Sequence, residues 1–340
     1  MTHVECPFCE RRCTLTERGG GFCQTYQTMN GEVVERFPHR YSSSVVSHIE
    51  AIPFYHFQPG SRSLMLGGAG CNFDCHYCSN AYVARCDPEP LLTLHLPPER
   101  VVRFAEQAGC HNIAFGVNEP TVALPTLLAL SPVARAVGLP VGVLTNGYMQ
   151  PEMAVQMGEA FDFVNVSLKA INDNFYREYV GVSASSVVMR NIETLYRKTH
   201  LEVSTPIVQG LNDGDVPAIA DFIASISPEI PWHVFRLLPE YKMADYDRPP
   251  IEAVNAALEA ARERLPYIYF GNFVGSQWVS TICPQCGSVA VERINLGGCG
   301  AKPLTYHLND NRCATCDYAL PIAGEPVTWN SKEVVRWKSA

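Results

Sequence analysis

The sequence predicts an α/β fold: a parallel sheet or barrel of ~200 residues between two small cysteine-rich ends. Three observations carry this. From residue 111 to residue 282 there is no cysteine, and there short β-branched and aromatic runs alternate with amphipathic helical patterns. Of the 14 cysteines of the 340-residue chain, all but Cys86 and Cys110 cluster at the two ends and in one tight run ahead of that stretch. The chain is 47% hydrophobic and 18% charged, the balance of a packed globular protein rather than a disordered one.

The strands come first. Residues 64–66 (LML) read as a short strand. Residues 112–116 (NIAFG), 141–145 (VGVLT), 163–168 (FVNVSL), 202–208 (EVSTPIV) and 233–238 (HVFRLL) follow. They are mostly apolar without strict alternation, which suits strands buried on both faces of a parallel sheet. Between them lie helical patterns. Pro98 opens one with Val101, Phe104, Ala105 and Ala108 on one face and Gly109 as its stop. Residues 183–199 carry Val188, Ile192, Leu195 and Thr199 on a helical stripe. Asn212 or Asp213 caps a third helix, with Val216, Ile219, Ala220, Ile223 and Ile226 inward. Residues 251–265 form a fourth.

Ligands of such folds sit at the C-terminal ends of the strands. Asn118-Glu119-Pro120, Thr145-Asn146-Gly147, Ser167 with Lys169, Gln209 to Asn212, and Arg236 all fall there. Each alone reads equally well as a turn. Together they mark one rim.

The net charge of −8 and the lack of a basic tract argue against a protein that grips nucleic acid. No stretch suits a membrane span: residues 121–144 come nearest and are interrupted by Pro125, Pro132, Arg135 and Pro140. The start lacks the apolar run of a signal peptide, so a cytoplasmic, reducing setting is expected, where clustered cysteines read as metal ligands.

Cys71-x3-Cys75-x2-Cys78 follows a glycine-rich turn. Three thiolates suit three corners of a four-iron cluster, leaving one iron without a protein ligand. Cys283-x2-Cys286 and Cys313-x2-Cys316 look like two knuckles of a zinc ribbon, with rubredoxin-like iron as the rival and Cys299 as a substitute ligand or bystander. Cys6, Cys9, Cys13 and Cys23 can close a four-sulfur site of zinc or of a second iron–sulfur cluster, and spacing does not separate the two. Cys86 and Cys110 are expected to be buried apolar thiols. His48, His56 and His233 are more simply structural than ligands or acid–base groups.

The Cys-x3-Cys-x-aromatic-Cys run at the end of a first barrel strand, with Tyr77 in the aromatic slot, resembles the radical S-adenosylmethionine (radical SAM) superfamily. Tyr55-His56-Phe57, Pro59-Gly60-Ser61, GCNFDCHYCSN, NEPTV, TNGY, NVSLK, PIVQGLND, WHVFRLLPEYKM and the two terminal cysteine sets resemble, more narrowly, the radical SAM member of the AmmeMemoRadiSam system. That group is similar to glycyl-radical-enzyme activases.

The resemblance implies a partial (β/α)6 barrel over residues 61–272. An N-terminal cysteine-rich segment (1–60) and a C-terminal zinc-ribbon-like domain (273–340) flank it. It implies that Cys71, Cys75 and Cys78 ligate a 4Fe-4S cluster and that Tyr77, Asn118, Glu119, Asn146, Ser167, Lys169 and Arg236 line the SAM site. Glu119 would bind the amino group, Tyr77 would lie near the adenine, and Asn146 and Lys169 would meet the ribose and carboxylate side. Reductive cleavage of SAM would give a 5′-deoxyadenosyl radical that abstracts hydrogen from an unidentified substrate, a small molecule, a protein or a peptide. A flavodoxin- or ferredoxin-type protein would donate the electron.

This chain departs from the superfamily pattern in three places. Val117-Asn118 replaces Gly-Gly ahead of the glutamate, Ser167 replaces an aspartate ahead of Leu168-Lys169, and Ser79 replaces an amide. A glycyl-radical activase and a non-catalytic metal-binding scaffold are the alternative functions.

Overall fold

A computed structural model describes residues 3–295, 297–298 and 300–328. Cys299 lies outside the described residues.

One eight-stranded sheet organises the chain. Its strands are β1 (Ser43–His48), β2 (Arg62–Gly67), β3 (Asn112–Gly116), β4 (Val141–Thr145), β5 (Phe163–Ser167), β6 (His200–Ile207), β7 (Trp232–Arg236) and β8 (Ile268–Gly271), side by side in chain order. Strands β2 to β8 are parallel, and β1 pairs antiparallel with β2. Helices α1 (Pro98–Gln107), α2 (Leu124–Arg135), α3 (Pro151–Ala160), α4 (Ser186–Tyr196), α5 (Val216–Ile226) and α6 (Ile251–Arg262) make the crossovers. The fold is therefore the expected α/β class. β8 adds a seventh parallel strand to the six the resemblance implies, its four residues all buried.

The local chemistry explains the elements. Pro98, Pro125 and Pro151 occupy first-turn positions, where proline's missing N–H costs nothing. The apolar stretch at residues 121–144 is helix α2 followed by β4. Pro132 lies inside that helix, and apolar residues on nearly every side mask the helical period. Asn212 does not cap α5 directly. Its side chain donates to the carbonyls of Lys169 and Pro206 (both 2.7 Å) and accepts from Val208 N–H, so it staples the loops after β5 and β6.

The N-terminal end of the sheet is joined to the C-terminal segment by a buried polar network. Glu202 on β6 accepts from the Tyr55 and His56 N–H groups (3.0 and 2.8 Å) and from His233 (2.5 Å) and His200 (3.0 Å). His56 bonds the Tyr269 hydroxyl (2.6 Å) and the Pro321 carbonyl (3.0 Å). Arg293 donates to the Tyr55 carbonyl and to Thr281. These histidines are structural, at the opposite end of the sheet from the cysteine run. Cys110 is buried as expected, whereas Cys86 is exposed, because the turn after the short helix Ala81–Ala84 carries it outward.

Burial pushes the His56 pKa down from 6.5 to about 3. Burial alone would raise Glu202, but hydrogen bonds from His200 and His233 outweigh it and hold the carboxylate well below its ordinary 4.5. Both shifts are depressions, so their stabilisation is complete above the ordinary values and is lost as pH falls toward the folded ones. Glu50, buried beside Arg293 and pushed up to about 7, acts in the opposite sense between pH 4.5 and 7. Comparing the wild type with His56→Gln isolates the histidine. The wild type's advantage in chemical denaturation should shrink as pH drops from 6.5 toward 3, and an advantage that does not change with pH would contradict this role.

Candidate functional site

The site forms at the C-terminal ends of β2 to β5. The loop after β2 runs through Gly67, Gly68 and Gly70 into Cys71, Cys75 and Cys78. Its backbone is pinned from three sides. Gly70 N–H donates to the Val83 carbonyl (2.9 Å), and Asp74 and His76 donate to the carbonyls of Val180 and Tyr179 (3.0 and 2.8 Å). From the end of β3, the Asn118 side chain accepts from Gly68 N–H (2.7 Å) and donates to the Gly70 carbonyl (3.0 Å).

Val117 makes that reach possible at a cost. Its φ is +72°, a left-handed conformation that a β-branched side chain disfavours. This is one of the two positions where the superfamily pattern has glycine. The Val117 carbonyl is held by the Asn80 amide at 2.7 Å.

Glu119 follows and is 3% exposed. One carboxylate oxygen accepts from the N–H (3.0 Å) and hydroxyl of Thr121 and from the Thr145 hydroxyl (2.8 Å). The other accepts from the Asn146 N–H (2.7 Å). Burial raises its pKa, while these hydrogen bonds act to lower it. Among the described residues no lysine, arginine or histidine forms an ion pair with it. Asn146 extends the chain: its amide donates to Asn72 (2.6 Å) and reaches the Cys71 sulfur at 3.8 Å.

The three thiols are half-buried. Burial pushes all three up, Cys75 to about 12, and the nearby Lys169 charge partly offsets this at Cys75 and Cys78. A cationic cluster is the group that would make thiolates of them. The Lys169 backbone is set by Tyr176, whose hydroxyl accepts its N–H (3.1 Å), and by Asn212.

The geometry thus brings together Cys71, Asn118, Glu119 and Asn146, with the Lys169 charge close to Cys75 and Cys78. Tyr77 packs 5.9 Å from the Phe175 ring, and its hydroxyl is buried without a hydrogen bond. Ser167 ends β5 in register with Ser204. Arg236 stands apart: its guanidinium donates to the Pro249 carbonyl and lies 5.1 Å from the Phe273 ring. Residues the sequence reading missed are Asn72, Thr121 and Thr145. The Thr-Asn-Gly turn hinted at the last, but nothing in the sequence separates Asn72 from a loop asparagine.

In the C-terminal segment, Cys283, Cys286, Cys313 and Cys316 have all their sulfurs within 4.8 Å of one another. Both Cys-x2-Cys turns close alike: Gly287 N–H donates to the Cys283 carbonyl and Asp317 N–H to the Cys313 carbonyl, with φ of +75° and +62°. Sulfur separations of 3.6 and 3.7 Å across the pair of turns match the ~3.8 Å edge of a tetrahedron with ~2.3 Å metal–sulfur bonds.

The family model of the radical SAM superfamily matches residues 65–223. The uncharacterized protein MJ0808 of Methanocaldococcus jannaschii is 30% identical over 327 residues, covering 94% of this chain and 95% of that one. The isethionate sulfite-lyase activating enzyme of Oleidesulfovibrio alaskensis is 27% identical over 188 residues, 50% of this chain and 57% of that one. A crystal structure of a radical SAM methyltransferase from Sphaerobacter thermophilus aligns with 85% of this chain and 80% of that one, at 18% identity and a TM-score of 0.49. The chain belongs to the radical SAM superfamily, whose members are generally dependent on a 4Fe-4S cluster and SAM. Among the described residues no helix is long and apolar enough to cross a membrane.

Val117→Gly should relieve left-handed strain of ~1–3 kcal/mol against ~0.5–1 kcal/mol of added chain entropy, a net gain of about 1 kcal/mol. Asn118→Ala should cost ~2–5 kcal/mol by stranding one buried N–H and one buried carbonyl. Thermal unfolding of both variants checks these signs. A destabilised Val117→Gly would show that Val117 packing outweighs its backbone strain.

Proposed function

We propose that the chain is a radical SAM enzyme of the AmmeMemoRadiSam type. Cys71, Cys75 and Cys78 would hold a 4Fe-4S cluster, and SAM would bind its open iron. The observation that carries this reading is Glu119: a buried carboxylate, supplied with hydrogen-bond donors but, among the described residues, with no ion-pairing cation, close to the Cys71 thiol. An ammonium group is the partner it lacks. Together the cluster and SAM would supply reductive carbon–sulfur cleavage: one electron from an external donor would give methionine and a 5′-deoxyadenosyl radical able to abstract hydrogen from a substrate.

The chain's own residues orient and shield. Asn118 holds the cysteine loop at a fixed height over the strand ends. Thr121, Thr145 and the Asn146 N–H hold the Glu119 carboxylate toward the amino group. Lys169 sets a positive charge near the Cys75 and Cys78 thiols, where it would meet the carboxylate side of SAM, and Tyr77, packed on Phe175, would lie near the adenine. Ser167 offers one hydroxyl where an aspartate is usual, so that contact is weaker. Arg236, turned toward Pro249, would reach SAM only by moving.

The substrate would be a small molecule, a protein or a peptide. A cleft of about 740 Å³ beside the cysteine loop, lined in part by Arg11, Tyr148, Arg177 and Ser183, is its route in. The activase reading draws on a relative named as an activating enzyme, of which this chain covers 57%. A flavodoxin- or ferredoxin-type donor suits the one-electron step.

We assign a single four-thiolate metal ion to Cys283, Cys286, Cys313 and Cys316 on the tetrahedral sulfur spacing, which zinc and rubredoxin-like iron share, and take it as zinc on the two Cys-x2-Cys knuckles. Its role is to fold the segment that closes the far end of the sheet. One zinc per chain in the isolated protein is expected; iron there, with a red thiolate absorbance, would overturn the assignment.

Anaerobically reconstituted protein with dithionite and SAM should release 5′-deoxyadenosine and methionine, and Cys75→Ala should lower the rate more than 100-fold. Full release by Cys75→Ala would falsify the reading. Glu119→Gln removes a charge-assisted contact worth ~1.5–3 kcal/mol and should weaken SAM binding about tenfold to a hundredfold by calorimetry.

A further inference from the structure

The N-terminal cysteines are built differently from the C-terminal four. Val4–Glu5 pairs with Thr14–Leu15, and Cys6 N–H donates to the Cys13 carbonyl at 2.8 Å, which sets Cys6 and Cys13 side by side. A turn closed by Arg12 N–H on the Cys9 carbonyl (3.1 Å) returns Cys9 to the same side, and the loop through Gly19 and Gly20 delivers Cys23. All four thiols line one enclosed cavity whose remaining walls include Phe8, Leu15, Tyr26 and Val122. Phe8 stacks on Tyr26 at 4.3 Å, and the Tyr26 hydroxyl donates to the Thr121 carbonyl, so the cavity is closed against the main sheet.

The sulfurs surround this space rather than converge. Among the described residues only the C-terminal four form a group of three or more metal-binding side chains with ligand atoms all within 4.8 Å of one another. A single zinc needs its four sulfurs ~3.8 Å apart. In a cubane each thiolate binds a different iron, so the sulfurs stand wider, around an apolar hollow. The sulfurs of Cys71, Cys75 and Cys78 likewise do not all fall within 4.8 Å of one another. Two of the N-terminal sulfurs also accept hydrogen bonds, Cys13 from Phe22 N–H (3.5 Å) and Cys23 from the Thr25 hydroxyl (3.2 Å), contacts that tune cluster potentials.

The cavity adjoins the candidate SAM site. Asn72 and Thr121 line it, and the same residues bond Asn146 and Glu119 on the other side. Gly70, with φ of +83°, brings its backbone so close to the Cys23 carbonyl that a β-carbon there would lie 2.6 Å from that oxygen. The loops carrying Cys23 and Cys71 are therefore in backbone contact.

We propose that Cys6, Cys9, Cys13 and Cys23 hold a second 4Fe-4S cluster, closed by four thiolates, against the loop of the first. With every iron ligated by protein, it has no position for SAM and can only take up and give back single electrons. Its identity does not rest on the catalytic reading of Cys71, Cys75 and Cys78.

The test is iron, sulfide and zinc analysis of the anaerobically reconstituted full chain, wild type and the variant Cys71→Ala/Cys75→Ala/Cys78→Ala. The expectation is about eight irons and one zinc in the wild type, and about four irons in the triple variant. After dithionite reduction the triple variant should show a paramagnetic cluster signal that SAM leaves unchanged. An iron-free triple variant with two zincs would overturn the proposal, as would a signal that shifts with SAM. Should the triple variant not fold, the wild type decides: eight irons support the second cluster, and four irons with two zincs refute it. Eight irons in the wild type without SAM cleavage would sink the catalytic reading and leave this one standing.

Discussion

The Asn118 side chain ties the glycine turn after β2 to the end of β3 through two hydrogen bonds to backbone, and the site depends on that tie. A loop with three glycines in four residues has little shape of its own. Bonded at Gly68 and Gly70, it can hold Cys71 at a fixed place over the strand ends. The strain at Val117 is the cost of turning Asn118 inward. The same turn sends Glu119 to the far side, where Thr121, Thr145 and Asn146 receive it. Three consecutive residues thus set both the sulfur side and the carboxylate side.

The two ends of the sheet do different work. At the C-terminal ends of the strands, polar groups are arranged around positions that a ligand would fill. At the N-terminal ends, Glu202, His56, His233, Tyr269 and Arg293 bond one another and the C-terminal segment. The cysteines repeat this contrast. One quartet converges to metal-tetrahedron spacing, with one buried and one exposed cysteine in each knuckle, and the other surrounds an apolar hollow beside the Cys71 loop. The same residue type is read as two kinds of site from sulfur spacing alone.

Much of the sheet was legible in the sequence because strands buried on both faces are short apolar runs: residues 112–116 and 141–145 match β3 and β4 end to end. Helix α2 was not, since an apolar segment broken by Pro125 and Pro132 lacks a polar face to reveal its period. β8 is four residues, too short for any pattern. At the site, Glu119 and the cysteine run stand out by residue type and spacing. Asn72 and Thr121 do not, because their role comes from contacts with residues more than 70 positions away or from a fold-back onto Glu119. Nor could spacing separate the metals of the two quartets, since sequence gives the order of the sulfurs but not their distances.

Under the proposed function, the three-thiolate site would leave an iron open to the amino-acid end of SAM, beside Glu119. Electron–nuclear double resonance of the reduced protein, with SAM carrying nitrogen-15 at its amino group, tests it directly. A nitrogen-15 coupling of directly bonded size is expected in the wild type. The absence of any such coupling in protein that binds SAM would contradict it.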